Sequence, residues 1–368
     1  MGRRIEERLP QYIRELDVYV PGKPVEEVER ELKVRAVKLA SNENALGPSP
    51  KAVAAMKQAA EEANRYPDGG GYYLREKLAA RLGVGMENVL LGNGSSELIE
   101  LAARALLRNE DDGATSEGSF PLYYLAIRQM GARLVAVPQR EYGYDLEALA
   151  RATGPQTKVV YLANPNNPTG TLFTADEFDE FLRNVPEDVV VVLDEAYYDY
   201  VERADYSRSI ARVKEGRNLL VLRTFSKVYG LAGLRIGYAV GPKVLVEHLN
   251  KVRSPFNTSA VAQAAALAAL DDSEHVRRSV ESNRAGMKQL GEGLKALGVQ
   301  VVPSYGNFLL VELGGDSRPV ADELLKQGVI VRPMRWMGFP NAIRVTVGTR
   351  EENEKFVKAL ERVRVAAK

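Results

Sequence analysis

Short, nearly uninterrupted apolar runs punctuate this chain at 89–91, 132–138, 158–163, 189–193, 219–223 and 236–240. A strand with one wet face alternates polar and apolar residues. These do not, so both faces of their sheet are expected to be covered. Helix-prone stretches separate them, at 25–32, 50–64, 73–82, 95–107 and 176–183. The alternation predicts an α/β architecture built on a mainly parallel sheet between helical layers. Residues 111–116 read as a poor strand, because Gly113 weakens them. Beyond 258 the pattern changes: an Ala-rich helix at 259–270, a long charged helix at 274–297, short strands at 307–312, 328–332 and 342–347, and a closing helix at 350–363. That mixture predicts a smaller α+β unit. The expected organisation is an arm over 1–38, which joins the small unit or a dimer contact, a large domain over 39–260 and a small domain over 261–368.

Composition narrows the chemistry. The 368 residues hold 45% hydrophobic and 27% charged residues, enough apolar material for a sizeable core. Lys plus Arg is 50 against 49 for Asp plus Glu, a net charge of +1, so no basic excess marks a nucleic-acid binder. There is no cysteine, which removes disulfides, thiolate nucleophiles and cysteine-held metals. Two histidines, His248 and His275, make a catalytic triad or a multi-histidine metal centre a poor expectation. No metal site is expected, and proton transfer falls to Lys, Tyr, Asp or Glu. The opening residues carry charge and no apolar core, and the longest apolar run, 260–270, is too short for the ~20 residues of a membrane span. The expected location is the cytoplasm, without membrane contact.

The informative residues follow the apolar runs, where an open α/β sheet binds ligands beyond the carboxyl ends of its strands. After 219–223 comes Thr224-Phe-Ser-Lys227, with Arg235 eight residues on. A lysine there is a candidate Schiff-base amine if desolvation or a neighbouring cation lowers its pKa; the bare Ser-Lys pair also fits a plain surface. After 189–193 comes Asp194-Glu-Ala-Tyr197. A buried carboxylate needs a cationic partner, such as a protonated pyridine nitrogen; a metal ligand or a helix cap is the alternative. After 158–163 comes Asn164-Pro-Asn-Asn-Pro-Thr-Gly170, a constrained turn that can aim the Asn167 amide at a phenolic oxygen. Gly92-Asn-Gly-Ser-Ser-Glu97 opens a helix and offers an anion site, but position 97 is Glu, so the third glycine of a dinucleotide fingerprint is missing. Together these give a phosphate cradle (Ser95, Ser96, Ser226, Arg235), a pyridinium partner (Asp194), phenolate donors (Asn167, Tyr197) and an amine (Lys227). That set matches pyridoxal 5′-phosphate.

At these residues the chain resembles the class I/II, fold-type-I pyridoxal-phosphate aminotransferases, and within them the histidinol-phosphate aminotransferase group. Further segments carry the likeness: Lys38-Leu-Ala-Ser-Asn-Glu-Asn44, Arg65-Tyr-Pro-Asp-Gly69 and Ile343-Arg-Val-Thr-Val-Gly348. The resemblance implies a seven-stranded, mainly parallel sheet in the large domain. It implies that Lys227 holds the cofactor and shuttles the substrate proton, that Asp194 keeps the ring nitrogen protonated, and that Asn167 and Tyr197 bind the phenolic oxygen. It places Phe120 against the ring and Tyr66 on the phosphate of a neighbouring subunit, hence a homodimer with shared sites. It assigns Arg344 to the substrate's acidic group, with Arg332 as a second cation for a phosphate and Tyr19 against an imidazole. Arg332 and Arg335 also fit surface charges, Tyr19 a packing residue, and Trp336 either core or pocket wall.

The implied reaction takes L-histidinol phosphate and 2-oxoglutarate to imidazole-acetol phosphate and L-glutamate, in histidine biosynthesis. An aromatic amino-acid aminotransferase is the main rival, and a phosphothreonine-type decarboxylase a smaller one. A non-catalytic pyridoxal-phosphate regulator would carry a DNA-binding module, and the stretch before Lys38 is too short for one. Three positions depart from the family pattern: Ala45 and Gly118 stand where proline is usual, and Gly113 interrupts 111–116. They put local order near the lid and the ring stack in question.

Overall fold

The computed structural model describes residues 5–18 and 23–366. Tyr19 therefore lies outside the described residues. The strands are β1 (Val37–Lys38), β2 (Val89–Gly92), β3 (Asp112–Ser116), β4 (Arg133–Val137), β5 (Thr157–Ala163), β6 (Val190–Asp194), β7 (Leu219–Thr224), β8 (Gly237–Val240), β9 (Gln300–Val302), β10 (Phe308–Glu312), β11 (Val329–Ile330), β12 (Arg332–Met334) and β13 (Phe339–Thr346). Seven form one sheet in the order β2-β8-β7-β6-β5-β3-β4. β8 runs antiparallel to both its neighbours, while β7, β6, β5, β3 and β4 are mutually parallel.

Both faces of this sheet are buried, which is why its strands read as apolar runs. Val191, Leu193 and Val221 enter one core, whereas Val190, Val192, Leu220 and Leu222 enter the other. The parallel strands therefore end at one edge, and the reversed β8 begins there. A second sheet, β12-β13-β10-β9, belongs to the C-terminal part, where Ile343, Val345 and Val347 join a third core with Leu290 and Phe356. The arm's last residues are tied to this part, since β1 pairs in parallel with β11. The long helix Ser273–Ala296 runs beside the closing helix Arg350–Ala366.

Residues 111–116, expected to make a poor strand, contain β3, which is buried at every position between β5 and β4. Gly113 does not weaken it. A Cβ there would stand 2.5 Å from Ile127 Cγ1, so the missing side chain is what lets the helix Pro121–Arg128 lie on the sheet. Gly118 has φ +59°, a conformation proline cannot adopt. Near Ala45, Asn44 orders the chain through Nδ2 contacts to Val228 O (2.8 Å) and Ser279 Oγ (2.9 Å). Trp336 is not core: it is 45% exposed and packs under the Arg332 guanidinium, 5.0 Å from it.

Gly113→Val is expected to overpack the β3–helix contact and cost about 1–3 kcal/mol. Thermal or urea unfolding checks this, and Ile127→Ala in the same chain should recover part of the loss.

Candidate active site

Five loops, after β2, β3, β5, β6 and β7, leave the common sheet edge and surround one cavity of about 220 Å³. Ser95, Ser96, Phe120, Asn167, Asp194, Tyr197, Ser226, Lys227 and Arg235 all line it. A larger groove of about 730 Å³ lies between the long helix and the closing helix and contains none of these residues. Volume does not decide the site; convergent chemistry does.

The cavity has an anion-binding end. Ser95 and Ser96 occupy the first turn of the helix Gly94–Leu106, whose unpaired N–H groups favour negative charge. The cap is Asn93, not a serine. Arg235 adopts φ +54° and brings Nη1 to 3.4 Å from Ser226 Oγ. Its guanidinium lies so close to the helix start that a Cβ on Gly94 would meet Nη2 at 2.4 Å. Two serine hydroxyls, a third from β7's exit, a helix N-terminus and an arginine thus share one small space.

The cavity floor carries a charge in need of a partner. Asp194 is 5% exposed; it accepts from Tyr123 Oη at 3.0 Å and from the Ala196 N–H at 3.1 Å. Burial still pushes its pKa up to about 6. Tyr123 stays protonated, because burial and then Asp194 hold its pKa well above the usual phenol range. Facing Asp194 is Lys227, whose amine is brought down to about 8 by burial first and by Arg344 second. Its Nζ makes a long contact, 3.5 Å, with Ser41 O and lies 5.5 Å from the Tyr197 ring centre.

The remaining polar groups are oriented from outside. Asn167 Oδ1 accepts from Arg344 Nη1 at 2.6 Å, so the amide nitrogen is left for the cavity. Arg344 itself is 8% exposed, and its Nη2 donates to Ala40 O. Arg344 turns away from the core that Ile343 and Val345 enter and sits behind Asn167, without lining the cavity itself. The Tyr197 hydroxyl accepts from Asn42 Nδ2 at 2.9 Å. Phe120 meets Tyr123 edge-to-face at 5.6 Å. Asn166 braces the Phe120 loop, accepting from Ser119 Oγ and donating to Gly118 O.

Not every expected residue arrives. Tyr66 does not line this cavity; it is 83% exposed and stacks on Phe256 at 4.7 Å. Arg335 is an exposed charge paired with Asp316 at 2.9 Å. Sequence reasoning missed Tyr123, Asn42 and Asn166. Tyr123 sits one helical turn after Phe120, a spacing that alone says nothing about reaching β6. Asn42 and Asn166 lie inside motifs whose neighbours drew attention, and only contacts across the fold single them out.

The arrangement suits a flat molecule with an anionic tail, a protonated ring nitrogen over Asp194, an oxygen acceptor between Asn167 and Tyr197, and a carbonyl within reach of Lys227. Each polar group then answers an unmet need of the chain. No cluster of metal-ligating side chains exists among the described residues.

Comparison with known proteins agrees. Residues 34–360 match the family model described as aminotransferase class I and II. Histidinol-phosphate aminotransferase 1 of Nitrosococcus oceani is 51% identical over 352 residues, covering 95% of both chains. The histidinol-phosphate aminotransferase of Moorella thermoacetica is 48% identical, covering 94% of this chain and 90% of that one. Among solved structures, histidinol-phosphate aminotransferase from Sinorhizobium meliloti in complex with pyridoxal-5′-phosphate superposes with a TM-score of 0.90 at 30% identity, covering 98% of each chain. Aspartate aminotransferase from Thermus thermophilus with maleate gives 0.83 at 26% identity, covering 96% and 99%.

Two outcomes follow from the buried charges. Asp194 has a raised pKa in the fold, so ionising it removes stability as pH rises through about 6. Asp194→Asn is therefore expected to raise the melting temperature of the ligand-free protein at pH 7.5, by the equivalent of about 2–3 kcal/mol, with the gain shrinking toward pH 5. Reductive labelling of Lys227 by an aldehyde and borohydride is expected to rise with a midpoint near pH 8, not near the usual lysine value. Peptide mapping across a pH series reads that midpoint.

Proposed function

The chain belongs to the class I and II aminotransferase family, whose reaction is pyridoxal-phosphate-dependent transamination, and we propose that its amino donor is L-histidinol phosphate and its acceptor 2-oxoglutarate. The products are imidazole-acetol phosphate and L-glutamate, a step of histidine biosynthesis carried out in the cytoplasm. Pyridoxal phosphate, when bound, supplies an aldehyde that takes an amine and a ring that accepts electron density from the substrate carbon.

The chain's own residues divide the remaining work. Ser95, Ser96, Ser226 and Arg235 hold the phosphate at the helix N-terminus. Asp194, ionised at neutral pH, keeps a proton on the ring nitrogen and has its burial compensated by that cation. Asn167 and Tyr197 donate to the phenolic oxygen, and Phe120 covers the ring. Lys227 would hold the cofactor through its aldehyde and, with its amine free, would move a proton between the substrate α-carbon and the C4′ atom. Its lowered pKa makes the neutral amine available near neutral pH. Residues 39–260 are assigned to the cofactor domain and 261–368 to the small domain, although the helix Ala260–Ala269 still sends Ala262, Ala265 and Ala266 into the large sheet's core.

The observation behind the substrate choice is a pair of arginines. Arg332 and Arg344 stand opposite each other on antiparallel β12 and β13, so both side chains leave the same face of the small sheet. A phosphate near two negative charges calls for two cations; a carboxylate is served by one. A homodimer in which Tyr66 reaches the phosphate of a second copy is supported by its exposure, stacked on Phe256 and away from the cavity of its own chain.

Side-by-side kcat/KM values for L-histidinol phosphate, phenylalanine and tyrosine test the reading. Arg332→Ala is expected to lower the first by on the order of ten- to a hundredfold and the others less, a lost charge-assisted contact being worth about 1.5–3 kcal/mol. Equal losses, or a preference for phenylalanine, would favour the aromatic aminotransferase. Lys227→Ala is expected to abolish transamination and to leave no cofactor fixed by borohydride; near-normal turnover in that variant refutes the assignment.

A further inference from the structure

Asn42 is a non-glycine residue in the left-handed conformation (φ +55°), 1% exposed, between the arm and the large domain. Asparagine tolerates that conformation better than most residues, yet holding it requires contacts. All four of its polar atoms are used. Its backbone N–H donates to Thr346 Oγ1 at 2.9 Å, and its Oδ1 accepts from the same hydroxyl at 3.1 Å. Its carbonyl accepts from Asn307 Nδ2 at 3.1 Å. Its remaining donor, Nδ2, points at the Tyr197 hydroxyl, 2.9 Å away. Thr346 and Asn307 are themselves buried. Thr346 is the last residue of β13, two positions after Arg344 and on the same face.

We propose that Asn42 is a positioning residue that, held by Thr346, directs the Tyr197 hydroxyl proton toward the cofactor and so ties the electronics of the site to the strand that carries Arg344. A hydroxyl that accepts from Asn42 must give its own proton elsewhere, and it becomes a stronger donor by doing so. Donation to the cofactor's phenolic oxygen draws electron density from it. That oxygen then stabilises less well a proton on the Lys227 nitrogen joined to the cofactor, and the proton leaves at lower pH. Thr346 makes the geometry of β13 part of this arrangement: a shift of the small sheet that weakens Thr346–Asn42 loosens the Tyr197 donor.

The inference rests on the pyridoxal-phosphate reading, and the test separates the two. The visible absorption of the loaded protein is titrated with pH in the unaltered chain, in Asn42→Asp and in Thr346→Val. Asn42→Asp keeps the size, the backbone preference and the acceptor for Thr346, but it places an acceptor where the donor was. The expected result is a titration midpoint raised by about one pH unit, the scale of a lost hydrogen bond to a charged group. In a Tyr197→Phe background the same substitution should move the midpoint no further. Thr346→Val should shift it in the same direction and Thr346→Ser should not, and these two carry the test if Asn42→Asp does not load cofactor. An unchanged midpoint in a loaded variant overturns the relay, as does a shift that persists without the Tyr197 hydroxyl. Absence of any titrating visible band in the unaltered protein overturns the cofactor reading beneath it.

Discussion

Two opposite charges confined away from water govern this structure. Asp194 and Lys227 face one cavity, and burial works against the charged form of each: the carboxyl rises to about 6 and the amine falls to about 8. A fold that merely sought stability would fill this place with apolar side chains. The chain instead keeps both groups in one cavity, where a bound molecule that met each of them would relieve the cost of burying them. The same burial that destabilises the ligand-free protein makes the two groups useful.

The sheet makes that confinement possible. Because β5, β6 and β7 are parallel neighbours, the residues leaving them arrive side by side: Asn167, Asp194 with Tyr197, and Ser226 with Lys227. The reversed β8 brings in Arg235 from the same edge. Beneath the floor, Glu195 and Arg223 form a buried ion pair at 2.9 Å, with the guanidinium 3.5 Å from the Tyr198 ring centre and Ser207 hydrogen-bonded to the carboxylate. That pair fixes the turn after β6, on which Asp194 and Tyr197 both stand. Glycine serves the same end where elements crowd: any side chain at Gly94 would displace Arg235, and any at Gly113 would lift a helix off β3.

The small sheet contributes from the other side. Its strand β13 reaches Asn167 through Arg344 and Tyr197 through Thr346 and Asn42. Two of the cavity's polar side chains, Asn167 and Tyr197, are thus braced by one strand, directly through Arg344 and indirectly through Thr346 and Asn42.

Most of the sheet was legible in the chain, because a strand buried on both faces leaves a short apolar run, rich in β-branched residues and bounded by turn signals. So were eight of the cavity's lining residues, each lying directly after such a run or at the start of the next element, whereas Phe120 came only from the family resemblance. β3 was misjudged for a local reason with a distant cause: Gly113 weakens an isolated strand, and only the approach of Ile127 shows why no other residue fits. Tyr123, Asn42 and Asn166 were invisible for the same reason, since a hydrogen bond between residues dozens or hundreds of positions apart leaves no spacing to read. The sequence by itself settled which chemical groups stand at the strand ends, because strand length and alternation are local properties. Only the tertiary structure decided their protonation and their partners, since burial and distance are properties of the packed chain.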